Sequence, residues 1–136
     1  MTSVFVDSDV CLDLLANRKP FNSVAERLFS LSDQKKIKAS ISALSFANLD
    51  YILRGTYKVS ETRKVLFRFK QFVTVLPVGD KIIELALASD FNDFEDAIQH
   101  YTAIEGKIQI LITRNIRDYR KASIEVMTPE AFLARL

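Results

Sequence analysis

Val4-Phe5-Val6-Asp7-Ser8-Asp9-Val10 is the stretch on which the fold turns. Three apolar residues run into an acid, and a second acid opens 10–15, whose apolar residues suit a helix. The pattern predicts a strand, an acidic turn and a helix. Outward from it, apolar residues recur at helical spacing over 21–35, with Asn22 available as N-cap. A short strand is expected at 37–41 and a helix over 43–57, weakened near Gly55. Ser60 can cap a helix reaching Lys70, after which 72–76 reads as a strand stopped by Pro77. Residues 79–89 again look helical.

In the last third, Phe94, Ala97, Ile98, Tyr101 and Ile104 mark the expected buried stripe of a helix that begins near Asp93 and is closed by Gly106. Strands follow at 108–112 and 124–127. Thr128-Pro129-Glu130 supplies an N-cap, a proline at the first helical position and a first-turn acid for a final helix. Strands separated by helices imply a three-layer α/β/α fold around a mostly parallel sheet. At 136 residues, one domain over 1–136 is expected.

Composition narrows the chemistry. Apolar residues make up 49% and charged ones 26%, with three glycines and three prolines, as in a compact helix-rich chain. Cys11 is the only cysteine, so neither an internal disulfide nor a thiolate cluster is available, and its apolar neighbours predict a buried thiol. His100 is the only histidine, which excludes a multi-histidine metal site; it is expected at the surface. The first residues lack a basic, apolar leader and no window is long enough to cross a bilayer, so a cytoplasmic protein without membrane contact is expected. Carboxylates must carry the chemistry.

Ligands of open parallel sheets bind beyond the carboxyl ends of the strands, at the topological switch point. Asp7 and Asp9 follow the first strand, and Asp118 follows the strand at 108–112 after Thr113-Arg114-Asn115. Asp93 and Asp96, three residues apart, share one helical face. For Asp9, capping of the following helix is the preferred role. Such an oxygen-only set suits Mg²⁺, which takes one or two carboxylates directly and keeps several waters.

In order, these segments resemble the PIN-domain nucleases, including VapC-type toxins. That family opens with a strand ending in a catalytic Asp, as Asp7 does here. A Ser-rich helix entry follows, matched by Ile41-Ser42-Ala43-Leu44-Ser45-Phe46-Ala47-Asn48-Leu49. Then come an acidic helix start, Asp93-Phe94-Glu95-Asp96-Ala97-Ile98, and a Thr-x-Asn-x-x-Asp-aromatic run, Thr113-Arg114-Asn115-Ile116-Arg117-Asp118-Tyr119. The resemblance implies Asp7, Asp96 and Asp118 as catalytic metal-site acids using Mg²⁺ or Mn²⁺, with Thr113 and Asn115 shaping the turn or lying behind the ligands. It further implies RNA cleavage, homodimers and often a cognate antitoxin. The family's second acid, a Glu, falls at Asn48, whose carbonyl can coordinate but adds no charge. Weaker metal affinity, or compensation by Asp93, follows from that departure.

Charge is unevenly spread despite a net of only +2. Residues 51–71 carry a balance of +5, 114–121 one of +3, and 80–105 one of −6. An acidic pocket bordered by cations suits a metal-dependent enzyme acting on a polyanion, with Arg114 and Arg117 as the phosphate contacts expected first. Two other readings remain. Asp7-Ser8-Asp9-Val10 also resembles the Asp-x-Asp loop of haloacid-dehalogenase-type phosphatases, although no lysine follows a suitable strand. Asn48 is compatible with a catalytically degraded PIN-like module that binds RNA or protein.

Overall fold

The computed structural model describes residues 1–136. Its elements are β1 (Thr2–Val6), α1 (Ser8–Leu15), α2 (Asn22–Asp33), β2 (Ile37–Ser42), α3 (Ala43–Leu53) and α4 (Val59–Lys70). They continue with β3 (Thr74–Leu76), α5 (Asp80–Leu87), α6 (Phe94–Glu105), β4 (Ile110–Ile112), a 3-10 turn (Ile116–Tyr119), β5 (Glu125–Met127) and α7 (Pro129–Arg135). All strand pairs are parallel and the order is β3-β2-β1-β4-β5. The chain leaves β1 for β2 on one side and returns to β4 on the other. The switch point therefore lies between β1 and β4, where Phe5 pairs with Leu111 and Val6 with Ile112.

Side chains of β1 alternate between two buried faces, as a sheet covered by helices requires. Val4 and Val6 join Ile37, Ala39 and Ile41 of β2 in a core filled by α1, α2, α3, α4 and α7, through residues such as Val10, Leu28, Leu49, Phe69 and Phe132. Phe5 and Leu111 point the other way, against Ala103 of α6 and Tyr119. A third cluster, Ile82, Ala86, Ala97 and Ile98, joins α5 to α6. Cys11 is fully buried, as its neighbours predict. No helix is long and apolar enough to cross a membrane.

Three local expectations are corrected. Asn22 begins α2 rather than capping it: Phe21 stands at the cap, and the Asn22 amide donates to Asn17 Oδ1. α4 begins at Val59 with Lys58 at its cap, which places Ser60 inside the first turn. On α6 the expected stripe fails at both ends, since Phe94 and Ile104 are exposed while Gln99, His100 and Thr102 are buried. The helix is covered from more than one side, so a single apolar stripe understates its buried surface. Its polar residues are met in part by partners: Thr102 Oγ1 donates to Ile98 O, Gln99 Nε2 donates to Ser45 Oγ and Ser123 N donates to His100 Nε2, while Gln99 Oε1 and His100 Nδ1 find none. His100 is thus a packed residue beneath Phe91, not a surface one.

Candidate active site

Asp7 sits where β1 ends. Its backbone is extended (φ −69°, ψ 156°), it caps α1 by accepting from Ser8 N at 2.8 Å, and its own N–H donates to Ile112 O at 2.9 Å. The other carboxylate oxygen accepts from the Thr113 hydroxyl at 2.9 Å, and Thr113 N is fixed on Met127 O. Residues flanking the switch point from β1 and β4 therefore meet directly, across 106 positions of sequence.

Asp9 has a larger role than capping. Its Oδ1 accepts from Val10 N, while Oδ2 accepts from Arg114 N at 3.1 Å, Asn115 Nδ2 at 3.1 Å and the Thr113 hydroxyl at 3.2 Å. It is the anchor of the 113–115 turn, and Asp7 is the cap. Asp13, 1% exposed, takes the Arg114 guanidinium through two bonds, at 2.6 and 3.1 Å. That guanidinium also lies 4.0 Å over the Phe21 ring. Arg114 is thereby committed to the frame, whereas Arg117 is exposed beside Asp118.

From the other side, Asp93 caps α6 by accepting from Asp96 N at 3.0 Å. Asp96, half-buried, accepts from the Tyr119 hydroxyl at 3.3 Å. Burial, then the Asp93 and Asp118 charges, push the Asp96 carboxyl up to about 7. Asp7 is likewise pushed up to about 7, by burial first and the Asp9 charge second, against the pull of its bonds from Thr113 and Ser8; Asp96 adds to the rise. Burial and the Asp7 and Asp96 charges raise the Tyr119 phenol strongly, so it stays a protonated donor. Asp118 is exposed on the wall of a groove of about 130 Å³ shared with Asp93, Asp96, Arg117, Arg120 and Lys121. A larger cavity, about 640 Å³, lies at the N-terminal ends of β1 and β4; its one acid, Glu125, is paired with Arg135, so it offers no comparable chemistry.

Asn48 on α3 does not stand free. Its amide donates to Glu95 Oε1 of α6 at 2.8 Å. Nearby, Ser8 and Gln99 both donate to Ser45 Oγ at 2.9 Å, binding α1, α3 and α6 behind Asp7. Asp13 and Gln99 are the contributors that sequence reasoning passed over, whereas Ser8, Ser45 and Tyr119 stood inside the quoted motifs without a role. Asp13 left a signal, an acid inside the apolar run 10–15.

No three acidic side chains close on a single point. Asp7 feels the Asp9 charge most and the Asp96 charge less, while Asp96 feels Asp93 and Asp118, so the acids form a chain of neighbours across the switch point. Two partly desolvated carboxylates, each raised by neighbouring negative charge, fit a hard divalent cation, which needs only one or two such ligands.

The family model of the PIN domain matches residues 3–117. No curated protein sequence matches significantly. Among solved structures, the chain is similar to a toxin–antitoxin complex from Klebsiella pneumoniae (21% identity, 93% of this chain and 97% of that chain, TM-score 0.69). It is also similar to VapBC-1 from nontypeable Haemophilus influenzae (16% identity, 95% and 99%, TM-score 0.70). A third similar structure is VapC20 from Mycobacterium tuberculosis, described as a sarcin–ricin-loop-cleaving toxin (19% identity, 79% and 86%, TM-score 0.64). At these identities the structures establish the fold, and the parallel β3-β2-β1-β4-β5 sheet with Asp7 at its switch point agrees with the family match over most of the sequence: the chain belongs to the PIN domain family.

Proposed function

We propose that this protein is an endoribonuclease dependent on Mg²⁺ or Mn²⁺, and the toxin of a toxin–antitoxin pair. What supports the reading is the placing of Asp7 at the switch point with Asp96 on α6 near enough to add to its rise, both acids being pushed up to about 7 by burial and surrounding negative charge. A bound divalent ion would supply a polarised water and charge neutralisation at a phosphodiester. Asp7 and Asp96 would hold it, with Asp118 and Asp93 on the outer wall. The Thr113 hydroxyl keeps one oxygen of Asp7 oriented, and the Asp9 and Asn115 contacts keep Thr113 in place. Arg117, Arg120 and Lys121 border the groove and would position backbone phosphates.

Kinship supports the biological setting. One similar structure is a toxin–antitoxin complex and another a sarcin–ricin-loop-cleaving toxin, so RNA is the proposed substrate and an antitoxin the proposed partner. A homodimer acting in the cytoplasm belongs to the same reading. The phosphatase alternative is disfavoured because the second acid of its Asp-x-Asp loop, Asp9, is taken up by the 113–115 turn.

The test is cleavage of single-stranded RNA with Mg²⁺ or Mn²⁺. Asp7→Asn and Asp96→Asn should each lower kcat by at least about 100-fold, the scale of losing one electrostatic stabiliser of a transition state, with unchanged circular dichroism. Turnover of p-nitrophenyl phosphate without RNA cleavage would favour the phosphatase. A wild type inert toward both, binding no divalent ion by calorimetry, would leave the degraded module.

A further inference from the structure

We infer that Glu95, held by the Asn48 amide, supplies the acid that position 48 lacks, and that the two residues act as one unit toward the divalent ion of the proposed nuclease; the inference rests on that reading.

α3 and α6 meet through two rungs of hydrogen bonds. Gln99 donates to Ser45 at 2.9 Å, and Asn48 donates to Glu95 at 2.8 Å, about one turn further along each helix. The first rung is tied by Ser45 to Ser8, the residue after Asp7. The second therefore places Glu95 on the α3-facing side of α6, next in sequence to Asp96. A first-turn acid that merely complements a helix dipole needs no partner on another helix. Glu95 has one. Asn48 occupies one Glu95 oxygen and leaves the other free, fixing the side chain while the negative charge is retained. Asn48 is then a positioning residue and Glu95 the charged one.

Calorimetric titration of Mn²⁺ into the metal-stripped full chain separates the two roles. Glu95→Gln keeps an acceptor for Asn48 and removes only charge; Asn48→Ala keeps the charge and removes the restraint. Each should weaken Mn²⁺ binding by about 10- to 100-fold, the usual scale for residues that hold or orient a metal ligand. RNA cleavage should fall in parallel. The double variant Asn48→Glu/Glu95→Gln, which moves the acid to α3, should recover Mn²⁺ affinity. Circular dichroism and thermal melting check the fold of each variant, and Asn48→Ala reads the same unit should Glu95→Gln fail to fold. If Glu95→Gln binds Mn²⁺ as tightly as a wild type that binds the ion and cuts RNA, the pairing is overturned and the nuclease reading stands. A wild type that neither binds Mn²⁺ nor cuts RNA overturns both.

Discussion

Arg114 and Arg117 are three residues apart with opposite fates. Arg114 is locked onto buried Asp13, so Arg114→Ala should strand that acid and lower unfolding stability by about 3 kcal/mol, readable by urea denaturation. Arg117→Ala should leave stability unchanged and raise KM for RNA. The proton balance at Asp7 gives a further expectation. Its carboxyl titrates at about 7 when folded, against an ordinary value of 3.8. Between those values the folded state binds more protons than the unfolded one, so this group makes stability fall as pH rises from about 4 to 7. Buried His100, lowered by burial, acts in the opposite sense, losing stability as pH drops through and below 6.5. In chelator, then, the melting-temperature gain of Asp7→Asn over wild type should be larger at pH 8 than at pH 5. Mn²⁺ should shrink it by stabilising wild type alone. The positions of Asp7 at a strand end and Asp96 in a helix's first turn were legible because spacing against strand and helix is written locally. Asp9 and Tyr119 were not, since their partners stand 23 to 106 positions away.

Among the elements, α3 and α6 show what periodicity can and cannot convey. Ser42 was legible as part of a Ser-rich helix entry, and it does cap α3, accepting from Ser45 N at 3.1 Å. Ser42→Ala should lower stability by about 1 kcal/mol in thermal or urea unfolding. The buried Gln99 and His100 broke the expected pattern on α6 because burial there is offset by hydrogen bonds to α3 and to the 123 region rather than achieved with apolar side chains. A hydrophobicity pattern records apolar burial and is blind to that kind. Strand ends were likewise overestimated: within 108–112 only Ile110–Ile112 join a ladder, all three against β5 and the last two against β1.

At the scale of the molecule, strand–helix alternation was enough to place a parallel sheet and its switch point, while charge polarity was legible as sums but not as surfaces. The cations of 114–121 do gather beside the acidic groove, apart from Arg114. RNA cleavage should consequently weaken with salt through KM, and Arg117→Ala should reduce the slope of log(kcat/KM) against log[salt] by about one phosphate contact, or roughly 0.7 for a single strand. The junction of Asp7 with Thr113 carries one more consequence, for a chain still being made. The first acid leaves the ribosome early, but β4 and the hydroxyl that orients that acid are encoded about a hundred codons later. A growing polypeptide therefore lacks the Asp7–Thr113 junction through most of its translation, and the site is assembled only when the last quarter has emerged and closed the sheet.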